Sequence, residues 1–149
     1  MNKIYYQFLE KLISKSRKEK IDKVLSKRTR YVSVLLENIY QSHNMSAVIR
    51  TCDNLGIQDI YTINSEKIKN SGKSISLGAE KWISIKSKNK NEELGKYVNK
   101  IKKNGYKIVG TSTIKNNNTC DLTDLVLNNK LIFAFGNEEK GLSKDFITH

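Results

Sequence analysis

The chain has 149 residues, 38% of them hydrophobic, which suits one soluble domain with a buried core. Its net charge of +12 and pI near 9.7 point to a polyanionic partner, nucleic acid first, although the excess of lysine is also compatible with plain solvated surface. Two distant cysteines, Cys52 and Cys120, with His43 and His149 as companions, exclude zinc-finger spacing and a disulfide framework, and no apolar run reaches the length of a membrane span. Charge at Lys3, Glu10 and Lys11 interrupts the N-terminus where a secretory signal needs its apolar stretch. The expectation is a cytoplasmic protein with reduced thiols, no metal and no membrane attachment.

In chain order, Ile4, Phe8 and Leu12, then Ile21, Val24 and Leu25, recur at helical spacing and predict a helical extension over residues 1–30. That segment holds ten Lys/Arg against Glu10, Glu19 and Asp22, a net of +7 that leaves +5 for the rest of the chain. It is the expected electrostatic foot for RNA, through Lys11, Lys15, Arg17, Lys18, Lys20, Arg28 and Arg30. From residue 31 to 149 the pattern changes. Strand-like runs at 31–36, 58–63, 82–86, 106–111 and 131–135 alternate with helical patterns at 45–55 and 92–103, which predicts an α/β domain with a parallel sheet. Gly56 and Gly105 stand where the two interior helices should stop, in the left-handed conformation of a helix C-terminus. The polar, glycine-containing segment 64–81 reads as a long loop.

Three places present chemistry. The apolar run Leu131 to Phe135 reads as a strand covered on both faces, and it breaks at Gly136-Asn137-Glu138, where a parallel sheet binds its ligands beyond the strand ends. A glycine there lets a ligand approach the backbone; a simple strand-to-helix turn with Ser143 as cap fits equally well. The run is neither a dinucleotide fingerprint nor a Walker loop. Upstream, a strand ending at Glu37 leads to a helix opened by Asn44. If Val48, Cys52 and Leu55 face the sheet, Arg50 is displayed on the outer side with Ser46 and Asn54, both Arg50 and Ser46 being open to RNA. The residues alone also allow a solvated face, with Arg50 paired to Asp53 and Asn44 a plain N-cap. The third place, Gly110-Thr111-Ser112, ends the preceding strand and could line an adenosine pocket or form a turn.

Together these residues resemble the SpoU/TrmH family of RNA ribose 2′-O-methyltransferases, of the SPOUT superfamily. The first motif is Leu36-Glu37-Asn38-Ile39 with His43-Asn44-Met45-Ser46-Ala47-Val48-Ile49-Arg50-Thr51-Cys52-Asp53 and Gly56; the second is Phe135-Gly136-Asn137-Glu138 with Gly141-Leu142-Ser143. Gly78-Ala79-Glu80-Lys81-Trp82 and the basic segment Arg17 to Arg30 are similar to the TrmH branch, whose members methylate the D-loop guanosine, position 18, of tRNA. The resemblance implies a parallel-sheet α/β knot, S-adenosylmethionine as methyl donor, tRNA as partner and a homodimer. It implies Arg50 as the catalytic arginine with Asn44 and Glu138 beside it, and cofactor contacts from Gly110, Thr111, Gly136 and Asn137. The family's third motif would lie beyond residue 149, so the resemblance also implies a C-terminally truncated domain. Ribosomal RNA as substrate, or an RNA-binding module without catalysis, are the competing expectations.

Overall fold

The computed structural model describes residues 3–65, 78–115 and 118–149. Two N-terminal helices, α1 (Lys3–Lys11) and α2 (Lys15–Leu25), precede β1 (Val32–Glu37), α3 (Ser42–Asn54), β2 (Asp59–Ile63), β3 (Ser84–Ser87), α4 (Leu94–Lys103), β4 (Tyr106–Gly110), β5 (Lys130–Phe135) and α5 (Lys144–Thr148). All strand pairings are parallel, in the order β3-β2-β1-β5-β4. The predicted strands and interior helices are therefore present, with ends moved by at most three residues. Of the expected 64–81 loop, residues 66–77 lie outside the described residues, and Ala79–Lys81 form a 3₁₀ turn.

Residues Ser33 to Glu37 of β1 are all buried because the strand is central and covered on both faces. Its side chains alternate between two cores. Val34 and Leu36 pack with Ile60 against Met45, Ile49 and Cys52 of α3, while Leu35 packs with Tyr61, Ile63, Ile132 and Ala134 against Tyr97, Val98 and Ile101 of α4 and Phe146 of α5. Gly56 and Gly105 adopt φ of +73° and +86° just past α3 and α4, as expected. A methyl at Gly56 would also meet the Lys27 carbonyl oxygen at 2.5 Å, because the chain leaving α2 runs against this turn.

Two expectations about helix faces change. The buried arc of α3 is Met45, Ser46, Ile49 and Cys52, rotated by roughly 80° from the stripe through Val48, Cys52 and Leu55. Leu55 is 68% exposed because it is already the helix cap, and Ser46, 5% exposed, turns inward instead of lying beside Arg50. On α1 the helical spacing holds, but Ile4, Phe8 and Leu12 stay exposed. A nine-residue helix takes its stability from tertiary cover, and the described core does not extend beneath it.

Cys52 is 1% exposed and burial pushes its thiol up to about 11, whereas Cys120 is exposed. A thiol reagent at pH 8 is expected to modify Cys120 alone in the native protein, and both cysteines after denaturation. Two rapid equivalents in the native state would show that α3 opens.

Candidate active site

The site forms at the carboxyl ends of β1 and β5, neighbours at the middle of the sheet. β1 ends in two polar residues. The Asn38 backbone takes φ of +57°, a left-handed turn that asparagine tolerates, and its N–H donates to the Ile63 carbonyl at 3.0 Å. Asn64, after β2, adopts φ of +52° and donates its side-chain amide to Asn38 Oδ1 at 3.1 Å. The strand ends are thus stitched together before α3 begins.

α3 starts at Ser42 with Gln41 as its cap, so Asn44 is inside the first turn and is not the cap. Its side-chain amide donates to Glu138 Oε1, joining two residues 94 apart in sequence. The Glu138 carboxyl is held below its ordinary value of 4.5, first by its own backbone N–H, then by the Asn44 amide and by nearby His43. A group with a lowered pKa is charged above that value and loses its contribution as pH falls through it. The Asn44 side-chain amide NMR signal is accordingly expected to stay constant from pH 8 to 5 and to move only at more acidic pH. A titration of that signal near neutrality that persists in a His43→Asn variant would contradict the pairing.

Arg50 is exposed, and among the described residues it has no ion pair. Asp53 pairs instead with Arg28 Nη2. The alternative in which Arg50 is tied to Asp53 is therefore excluded. Arg50 lies roughly 9 Å farther along α3 than Asn44 and about a third of a turn away from it. The fold brings Asn44 to Glu138, and it displays Arg50 separately.

Residues Asn137 to Gly141 form a closed loop: the Asn137 N–H donates to the Gly141 carbonyl at 3.1 Å, and the Gly141 N–H donates back to the Asn137 carbonyl at 2.8 Å. Gly136 is needed for this closure, since a methyl there would lie 2.0 Å from the Gly141 carbonyl carbon. The Asn137 side chain accepts the N–H groups of Glu139 and Lys140 and donates to the Asn38 carbonyl and to Glu138. Gly136 and Asn137, both expected at the cofactor, therefore also hold the loop closed. Ser143 caps α5, accepting the Phe146 N–H at 3.1 Å.

Gly110 and Thr111 do reach a cavity. One of about 460 Å³ is lined by Gly110, Thr111 and Ser112 with Ile108, Leu142 and Phe146, and another of about 530 Å³ opens on the other side of Gly110 to Ser112, toward Leu122, Leu125 and Phe133. Thr111 is fixed between them by its N–H and hydroxyl, which both donate to the Ala134 carbonyl. The first cavity sets apolar Ile108, Leu142 and Phe146 against polar Lys102, Thr111, Ser112 and Asn118, a mixed lining that at this volume suits an adenosine-sized ligand.

The basic foot is also resolved. Lys11, Lys15, Arg17 and Lys20 are exposed, Lys18 pairs with Glu10, and Arg30, 62% exposed, reaches Asp59 at 3.3 Å. Arg28 departs from expectation: its side chain is 7% exposed and is held inside by Asp53, so it does not face a partner. What sequence reasoning missed is the polar end of β1. A carboxylate closing an apolar strand at Glu37 and an asparagine directly after it were visible signals of a built strand terminus.

The sequence model of the SpoU rRNA Methylase family matches residues 31–149. The chain belongs to this SpoU methylase family. Among relatives, a protein of Borreliella burgdorferi named tRNA (guanosine(18)-2′-O)-methyltransferase is 37% identical over 139 residues, 93% of this chain and 62% of that protein. A protein of the same name from Aquifex aeolicus is 28% identical, over 93% of this chain and 64% of its own length. The crystal structure of the A. aeolicus TrmH/SpoU tRNA modifying enzyme superposes with a TM-score of 0.74 at 25% identity, covering 89% of this chain and 66% of that one. An AdoMet-bound rRNA methyltransferase from Sinorhizobium meliloti shares the fold at a TM-score of 0.68 and 17% identity, over 85% of this chain and 48% of that one. The chain thus spans just under two thirds of the curated SpoU relatives it matches first. Its parallel α/β sheet is the SpoU architecture.

Proposed function

We propose that this SpoU-family chain serves S-adenosylmethionine-dependent methylation of a ribose 2′-hydroxyl in tRNA, with the D-loop guanosine, position 18, as target and a homodimer as working state. The observation that carries the reading is the Asn44–Glu138 pair, assembled from both family motifs, on the same helix as an exposed Arg50 without an ion pair among the described residues. An RNA-binding module without catalysis would have no use for that assembly. The names of the relatives support tRNA as the substrate class.

The cavity between Thr111 and Leu142 would hold the cofactor, its apolar walls taking the adenosine and the Gly110 backbone allowing close approach. When bound, S-adenosylmethionine supplies an electrophilic methyl group on a sulfonium. The protein's own residues then have to aim the ribose hydroxyl, leave its proton a path to solvent water, and stabilise the negative charge that develops on its oxygen. Arg50 suits the aiming and the charge: its planar guanidinium fork can bridge a phosphate and the hydroxyl, so it acts as an orienting cation. Glu138, ionised at neutral pH, orients the Asn44 amide at the helix start.

RNA binding is expected to rest on ion pairing of α1 and α2 with backbone phosphates. Replacing Lys15, Arg17 and Lys20 together by glutamine should flatten the dependence of log affinity on log salt by about one unit for each phosphate left without its cation. An unchanged slope would move the RNA surface elsewhere. The function itself is tested by incubating the full-length protein with labelled S-adenosylmethionine and, in parallel, unmodified tRNA or ribosomal RNA, followed by nuclease mapping. Methyl label on the D-loop guanosine is the expected result; label on ribosomal RNA alone would shift the substrate, and no label on either would end the reading.

A further inference from the structure

Glu37, the last residue of β1, is 2% exposed. Its carboxylate accepts the Ser143 N–H at 2.8 Å and the Ser143 hydroxyl at 2.6 Å, across 106 residues of sequence. The next residue, Asn38, accepts the Asn137 side-chain amide on its carbonyl at 3.3 Å. Two consecutive residues of β1 and its exit therefore hold the two ends of the segment from Asn137 to Ser143. Between those ends stand the groups that the site uses. Glu138 meets Asn44, and Leu142 walls the cavity shared with Thr111, its Cδ1 3.0 Å from where a Gly110 methyl would sit.

We propose that Glu37 is a positioning residue for the reaction, setting through Ser143 both the Glu138–Asn44 pair and the Leu142 wall of the cofactor cavity. The inference rests on the methyl-transfer reading of this site. Glu37 is buried under the loop and does not touch the reacting groups; it acts because a buried carboxylate must keep its donors. Charge-assisted hydrogen bonds are roughly twice as strong as neutral ones, and an ionised group left unpartnered in the interior is costly. The segment from Gly141 to Ser143 therefore follows the position of the carboxylate, and Glu138 and Leu142 follow that segment. Simple strand-to-helix packing would not need a charge at this point.

Glu37→Gln keeps the shape and can still engage Ser143 through neutral bonds, so the protein should fold. The variant is expected to lose about tenfold in turnover and about tenfold in S-adenosylmethionine affinity, with tRNA affinity within twofold of the parent. The side-chain amide signals of Asn44 and Asn137 should shift in its 15N spectrum, while the backbone amides of Thr51 to Asn54, at the far end of α3, stay in place. Ser143→Ala removes one of the two donors, so the double variant with Glu37→Gln should lose little more than the worse single variant. Strictly additive losses, or Glu37→Gln with parental turnover and unmoved Asn44 and Asn137 signals, would overturn the proposal. If the parent protein methylates no RNA, the catalytic reading fails and the proposal's claim on catalysis fails with it. The amide signals then still decide separately whether Glu37 sets the Glu138–Asn44 pair.

Discussion

Replacing Arg50 by alanine is expected to lower methyl transfer by at least about a hundredfold, at unchanged melting temperature and with tRNA affinity largely kept. The residue is exposed and has no ion pair among the described residues, so no packing disappears with its side chain. The loss should fall on turnover, because the guanidinium serves charge that exists only in the transition state, and single preorganised donors at such positions are worth about 10²–10³ in rate. Arg50→Lys should recover little of it, since an ammonium is a point charge and cannot bridge phosphate and hydroxyl as a fork does. Single-turnover kinetics with saturating tRNA is the measurement. Near-parental rates in the alanine variant would remove Arg50 from the mechanism and leave the Asn44–Glu138 pair to be explained some other way.

The second large effect is expected at Gly136. An alanine methyl there would stand 2.0 Å from the Gly141 carbonyl carbon and 2.2 Å from the Leu142 nitrogen, and both are backbone atoms that cannot swing aside. The paired hydrogen bonds between Asn137 and Gly141 would have to open to admit it. Overpacking of this kind costs about 3 kcal/mol or more, which for a domain of this size lowers the melting temperature by roughly 6–12 °C. Glu138 would leave Asn44, so the Asn44 side-chain amide signal should collapse toward its solvated position. A thermal melt and one 15N spectrum check both. An alanine variant with parental stability would mean that the loop from Asn137 to Gly141 is not held as described.

The sequence by itself determined the strands, the interior helices and their stops, because alternation of apolar runs with 3.6-residue periodicity is a local property and glycine at a helix end is a local requirement. It also determined the family, through two motifs whose residue types and spacing are specific. Arg50 on the outer side of α3 was legible from periodicity, although the buried stripe lay about 80° from its expected place: spacing gives a helix one apolar face but not its rotation against a sheet. Ser46 went to the interior for that reason.

Tertiary structure alone decided which strand-end residues meet. Asn44 with Glu138, Glu37 with Ser143 and Arg28 with Asp53 join positions 94, 106 and 25 residues apart. Such pairings are set by strand order and register: β5 returns between β1 and β4, bringing Gly136 level with Glu37 and Asn137 against Asn38, and folding the following loop onto Glu37. Gly136 could be read from its position as a place where something must come close. That the close neighbour is the chain's own Gly141 follows only from the path the backbone takes after β5.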